Sequence, residues 1–193
     1  QEKIIPMIQK NKSVVAQSQT GSGKTHAFLL PLFEKIDPKK EHVQVVITAP
    51  SRELAQQIYK EASFLAKYSP EEIRVSNFVG GTDKKRQIEK LNHAQPHLVI
   101  GTPGRILDLI KEQALDIHEA FALVVDEADM TLDFGFLKEV DAIAAFFAKN
   151  SQFLVFSATI PEKLRPFLKK YLENPEIVEI SPENKIAPEI ENF

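Results

Sequence analysis

Short apolar runs alternate along this chain with segments whose apolar residues recur every three or four positions. The runs are Ser13–Gln17, Val43–Ala49, Ile73–Phe78, His97–Gly101, Phe121–Asp126, Gln152–Ser157 and Glu176–Ile180. The first is β-branched, and Phe121–Val125 is continuously apolar rather than alternating, the pattern of a central strand buried on both faces of a parallel sheet. Between them lie helical patterns. Arg52–Lys67 puts Leu54, Ile58, Ala62 and Leu65 on one face, and Phe134–Ala148 does the same with Leu137, Val140, Ala144 and Phe147. Thr25–Ile36 is apolar enough for a core helix, with Pro31 expected to kink it. Strand alternating with helix predicts an α/β domain over residues 1–180. Its expected core is a mostly parallel, twisted sheet of about seven strands, with helices on both faces and right-handed crossovers. Residues 181–193 are rich in Pro and Glu and have no period, as expected of a linker leaving the domain. The chain opens at Gln1 in what reads as the middle of a helix, so a fragment of a longer protein is expected.

Composition narrows the class. The 193 residues are 43% hydrophobic and 26% charged, ordinary for a globular domain with a sizeable core. The absence of cysteine excludes disulfides and thiolate metal sites and fits a reducing compartment, so the cytoplasm is the expected location. No apolar run reaches the length of a membrane span. The net charge of −3 is not that of a typical nucleic-acid binder. Any nucleic-acid contact must therefore rest on a few local residues and backbone amides, or on another part of the protein.

Two motifs carry chemistry. Gln19-Thr20-Gly21-Ser22-Gly23-Lys24-Thr25 follows the first strand and precedes a helix. Gly21 and Gly23 let successive N–H groups turn toward an anion. Lys24 sets a cation on the outer phosphates, and the Thr25 hydroxyl is a magnesium ligand. The helix start adds its positive dipole end. The usual pattern opens with Gly where Ser18 stands, and serine is small enough for the loop. The second motif, Val125-Asp126-Glu127-Ala128-Asp129, closes an apolar run. Ligands of parallel sheets bind beyond the carboxyl ends of strands, which brings Asp126 and Glu127 to the same edge as the cradle. Asp126 would hold magnesium, and Glu127 would position and deprotonate the attacking water. Cradle plus carboxylates in this order mark an NTP-hydrolysing domain using Mg²⁺.

Four further stretches end strands: Pro50-Ser51-Arg52-Glu53-Leu54-Ala55, Gly80-Gly81, Thr102-Pro103-Gly104-Arg105 and Ser157-Ala158-Thr159. Each has a plainer reading. Ser51 is a candidate helix N-cap, the glycine pair a turn, and Thr102-Pro103 a capped helix start. Thr159-Ile160-Pro161-Glu162 has the form of a capping box. His93 and His97 are four apart, but Pro96 between them spoils a helical metal pair and no third ligand is evident. Lys84-Lys85-Arg86 reads as a solvated face or as a patch flanking bound RNA.

Together these motifs strongly resemble the DEAD-box RNA helicases, over the whole chain and in order. Asp126-Glu127-Ala128-Asp129 is the name-giving motif; Pro50–Ala55 resembles Pro-Thr-Arg-Glu-Leu-Ala with Ser51 in place of Thr; Thr102–Arg105 and Ser157–Thr159 match outright. Among relatives the chain looks most like the bacterial cold-shock-type helicases. The resemblance implies a RecA-like P-loop fold and ATP as the nucleotide, with Thr20, Gly21, Ser22, Gly23, Lys24 and Thr25 on the triphosphate. It puts Gln1 where the family reads adenine. It implies that Arg52, Gly81, Thr102 and Arg105 hold the backbone of single-stranded RNA without base readout. Asp129, Ser157 and Thr159 would couple the nucleotide site to interdomain motion. The family's arginine-bearing second RecA-like domain has no counterpart after Thr159. The implied function is ATP-dependent RNA unwinding, with this chain as the first catalytic domain; an ATP-gated RNA clamp would carry the same motifs.

Overall fold

The computed structural model describes residues 4–18, 24–173 and 176–180. Expectations for Gln1, Thr20, Gly21, Ser22, Gly23 and the stretch 181–193 lie outside the described residues. In chain order the first elements are α1 (Ile4–Gln9), β1 (Val14–Ser18), α2 (Lys24–Lys35), β2 (Val45–Thr48) and α3 (Arg52–Lys67). Then come β3 (Val75–Phe78), α4 (Lys84–His93), β4 (Leu98–Gly101), α5 (Pro103–Lys111) and β5 (Ala122–Val125). The last are α6 (Ala128–Asp133), α7 (Leu137–Ala144), β6 (Gln152–Ser157), a 3-10 turn (Glu162–Leu164), α8 (Arg165–Tyr171) and β7 (Glu176–Ile180).

All seven expected strands form one sheet in the order β3-β4-β2-β5-β6-β1-β7, and every pairing is parallel. The two-residue period of a strand sends alternate side chains to opposite faces. Val14, Ala16, Val45, Ile47, Val124 and Phe156 pack on one side with α1, α2 and α3. Val15, Val46, Val125 and Val155 pack on the other with α5, α7 and α8. The central strands β2, β4 and β5 are buried throughout, which is why they read as apolar runs, while β3 at the sheet's edge is only partly buried and carries Ser76 and Asn77.

α3 spans the expected residues and buries Ile58 and Ala62. α2 runs continuously through the buried Pro31. The helix expected over 134–148 is corrected: α6 ends at Asp133 and α7 starts at Leu137. Gly135 between them has φ 82, a left-handed angle that stops a helix and suits glycine. Val140, Ala144 and Phe147 still face the core.

Parallel crossovers return every chain segment to the same starting edge. The residues after β1 to β6 therefore gather at one rim of the sheet.

Candidate functional site

Lys24 opens α2 directly beyond β1, and Asp126 and Glu127 follow β5. The rim brings them together. Lys24 Nζ lies 2.8 Å from Asp126 Oδ1 and 2.5 Å from Glu127 Oε2, with all three side chains almost wholly buried. Glu127 has φ 53 and ψ 54, a left-handed backbone unusual for a residue with a Cβ. Such a conformation costs on the order of 1–3 kcal/mol and persists only where its surroundings enforce it. Here the Asp126 carboxylate accepts the Glu127 N–H at 3.0 Å, and the Glu127 carbonyl accepts from Thr131. The Asp126 N–H in turn donates to the Thr48 carbonyl on β2, fixing the exit of β5.

Burial alone would lower the Lys24 ammonium, but the Asp126 and Glu127 carboxylates outweigh it and hold the pKa above its ordinary value. Burial pushes the Asp126 carboxyl up from its usual range, opposed by Lys24. The cluster is one cation facing two carboxylates in a dry site, with Thr25 next along α2. Its donors are hard oxygens, which suit magnesium. Among the described residues no group of three or more His, Asp or Glu side chains forms a metal cage.

A second set of residues lies along the rim over β2, β3 and β4. Arg52 Nη1 donates to the Gly80 carbonyl at 3.2 Å. Gly81 has φ 83, and a Cβ there would overlap the Arg52 guanidinium. The backbone angle favours glycine, and any side chain there would push the Arg52 guanidinium off the Gly80 carbonyl. Arg105 Nη1 donates to Gln87 Oε1 at 2.7 Å and to the Thr82 carbonyl at 3.3 Å. Thr102 stands at the start of α5 with no side-chain cap bond, while Pro103 takes the first turn. Its plainer reading holds in position, with Thr102 at the N-cap and Pro103 first in the helix, but the Thr102 hydroxyl makes no cap bond. The cap reading of Ser51 holds: Ser51 Oγ accepts the Leu54 N–H at 3.2 Å.

The third set links the motif at the end of β6 to α6. The Asp129 N–H donates to Ser157 Oγ at 3.0 Å, and Ser157 Oγ donates to the Thr159 carbonyl at 2.6 Å. Thr159 N and Oγ1 both donate to Asp129 Oδ2, at 3.1 and 2.9 Å. The capping-box reading of Thr159 is therefore corrected: its hydroxyl goes to Asp129, and the 3-10 turn begins later, at Glu162, with Pro161 at its N-cap and no side-chain cap.

Three supporting residues have no signature in the sequence. Gln17 on β1 donates to the Ala158 carbonyl at 3.2 Å, and Thr82 and Gln87 receive Arg105. His97 is not a metal ligand: it is buried, Nδ1 accepts the Arg74 N–H at 2.9 Å, and Nε2 donates to the Pro38 carbonyl at 3.0 Å.

Comparison with known proteins identifies the family and the fold. The family model described as "DEAD/DEAH box helicase" matches residues 1–167. The chain is 58% identical, over its whole length, to proteins named "DEAD-box ATP-dependent RNA helicase CshB" from Bacillus cereus and Bacillus subtilis. It spans 44% of the length of these relatives. It also superposes on a DEAD box protein from the hyperthermophile Methanococcus jannaschii, with TM-score 0.85, 34% identity, and coverage of 92% of this chain and 48% of that one. A hypothetical ATP-dependent RNA helicase from Sulfolobus tokodaii gives TM-score 0.83 at 31% identity, covering 93% of this chain and 51% of that one.

Proposed function

Because the chain belongs to the DEAD/DEAH box helicase family, we propose that it is the nucleotide-binding first RecA-like domain of an ATP-dependent RNA helicase. In this reading residues 1–180 form the domain and 181–193 begin a linker to a second RecA-like domain. The observation that carries it is the convergence of Lys24, Asp126 and Glu127 at one end of the rim, with Arg52, Gly81, Thr102 and Arg105 along the rest of it. One end suits phosphates and a divalent cation; the other suits a sugar–phosphate strand.

When bound, ATP supplies the transferable phosphoryl group and magnesium neutralises its oxygens. Lys24 would bind the outer phosphates, and Asp126 with the Thr25 hydroxyl would hold the magnesium ion. Glu127 orients a water and takes its proton. By resemblance to the family, Thr20 to Gly23 are assigned to the triphosphate and Gln1 to adenine. Asp129, Ser157 and Thr159 report the state of the acidic motif to the second domain. RNA is held by its backbone, without base readout.

A domain of net charge −3 is not a strong electrostatic trap for RNA by itself. The reading therefore requires two domains to close on the strand. The absence of cysteine fits the cytoplasm. Among the described residues no helix is long and apolar enough to cross a membrane. The test is ATP turnover by the two-domain protein with RNA, with DNA of the same sequence, and with neither. RNA alone should stimulate; equal stimulation by DNA overturns the RNA assignment.

A further inference from the structure

The cations of α4 fall into two sets. Lys84 is neutralised: its ammonium lies 2.9 Å from Asp108 Oδ2 and 3.1 Å from Glu112 Oε2, tying α4 to α5. Lys85, Arg86 and Lys90 are exposed, and among the described residues no side-chain hydrogen bond or ion pair engages them. Arg86, Lys90 and His93 stand at i, i+4 and i+7, one face of a helix. With Glu89 and Asn92 they line a surface cleft of about 480 Å³. This face begins where the loop strip ends. Gln87, one residue from Arg86, accepts the guanidinium of Arg105, and Thr82 accepts it too.

On a chain whose net charge is −3, uncompensated cations in a row call for an explanation. From Arg86 to His93 the helix rises roughly 10 Å at 1.5 Å per residue. That matches two to three phosphates of a stacked strand at about 3.4 Å each. We infer that this face of α4 is an auxiliary RNA-backbone surface, carrying the strand onward from Arg105 beyond the loop strip. The inference rests on the proposal that the strip binds RNA. Continuity through Gln87 and Arg105, together with the sign of the charge, favours a phosphodiester strand over an acidic protein segment. Exposed cations contribute through counterion release, so the contact adds affinity that salt removes.

The test is fluorescence anisotropy at several salt concentrations with two labelled oligouridylates, one only long enough for the loop strip and one longer. The proteins, each as the polypeptide that continues into the second domain, are wild type, Arg86→Glu/Lys90→Glu, the neutral Arg86→Gln/Lys90→Gln, and Arg105→Ala, each checked for fold by circular dichroism. The charge-reversed pair should bind the longer RNA about tenfold more weakly. Its slope of log affinity against log salt should fall by about 1.4, at roughly 0.7 per lost single-strand phosphate contact. The neutral pair should lie between, and the short RNA should be unaffected by either. Unchanged affinity and slope on the longer RNA would overturn the inference and leave α4 a solvated or protein-binding face. Failure of the underlying reading looks different: wild type then binds neither RNA, or Arg105→Ala alters neither.

Discussion

Lys24 and Asp126, on elements separated by about half the chain, form a buried ion pair with 2.8 Å between Nζ and Oδ1. Glu127 shares the same ammonium. A paired charge in a dry site holds its partner in place, and removing one member leaves the other uncompensated. Lys24 thus neutralises the acidic motif, and in the proposed reading the same ammonium would bind the outer phosphates.

Lys24→Met should accordingly destabilise the chain, by about 3–5 kcal/mol if Asp126 stays charged. Adding Asp126→Asn should recover part of that loss. Urea unfolding of the single and double variants measures the coupling. If the two losses simply add, the pair is not a unit. The same lysine variant should lose nucleotide affinity, read by titration with a fluorescent ATP analogue.

Glu127→Gln keeps shape and polarity but removes the base. In the two-domain protein it should spare ATP binding and cut turnover by roughly 10²–10⁴. Binding and turnover falling together would assign Glu127 to metal or structure instead.

Thr159→Val removes one donor to Asp129 Oδ2 and leaves the backbone N–H donating to the same oxygen. The site is exposed, so stability should change by less than about 1 kcal/mol. In the two-domain protein ATP turnover should persist while duplex unwinding falls. Parallel loss of both would make the hydroxyl part of the hydrolytic site.

Acid should weaken the fold through His97. Its imidazole is buried and neutral, and burial holds its pKa below the ordinary value. The unfolded chain therefore takes up a proton that the folded chain refuses. Stability is unaffected well above about pH 6.5 and is lost as pH falls from there toward the folded-state value. His97→Gln should be less stable throughout but show a flatter slope over that window. An unchanged slope would locate the acid sensitivity elsewhere.

The sheet was legible in the sequence because strands buried on both faces must be apolar throughout, as Val45 to Thr48 and Ala122 to Val125 are. The rim followed from parallel topology alone, so Lys24 and Asp126 were expected near each other. Their direct contact was not, since spacing says nothing of which counter-ion a lysine finds. Periodicity ran through Gly135 because apolar residues on both sides keep the helical phase, while a left-handed turn leaves no mark beyond a single glycine. Thr159 had two possible uses, a local cap or a bond to Asp129, and only the fold decides between acceptors thirty residues apart. Gln17, Thr82 and Gln87 support motif residues from positions where any polar residue reads as ordinary surface.

The central claim is that this chain holds one half of an RNA-stimulated ATPase. An arginine from a second domain typically contributes 10³–10⁵ in rate in phosphoryl-transfer enzymes, and this chain spans only 44% of the length of its curated relatives. The decisive measurement is ATP turnover with and without RNA, for residues 1–193 alone and for the polypeptide that continues into the second domain. The account predicts a fold that binds adenine nucleotide weakly and shows no RNA-stimulated turnover for the former, and strong stimulation for the latter. Robust RNA-stimulated turnover by residues 1–193 alone would contradict it.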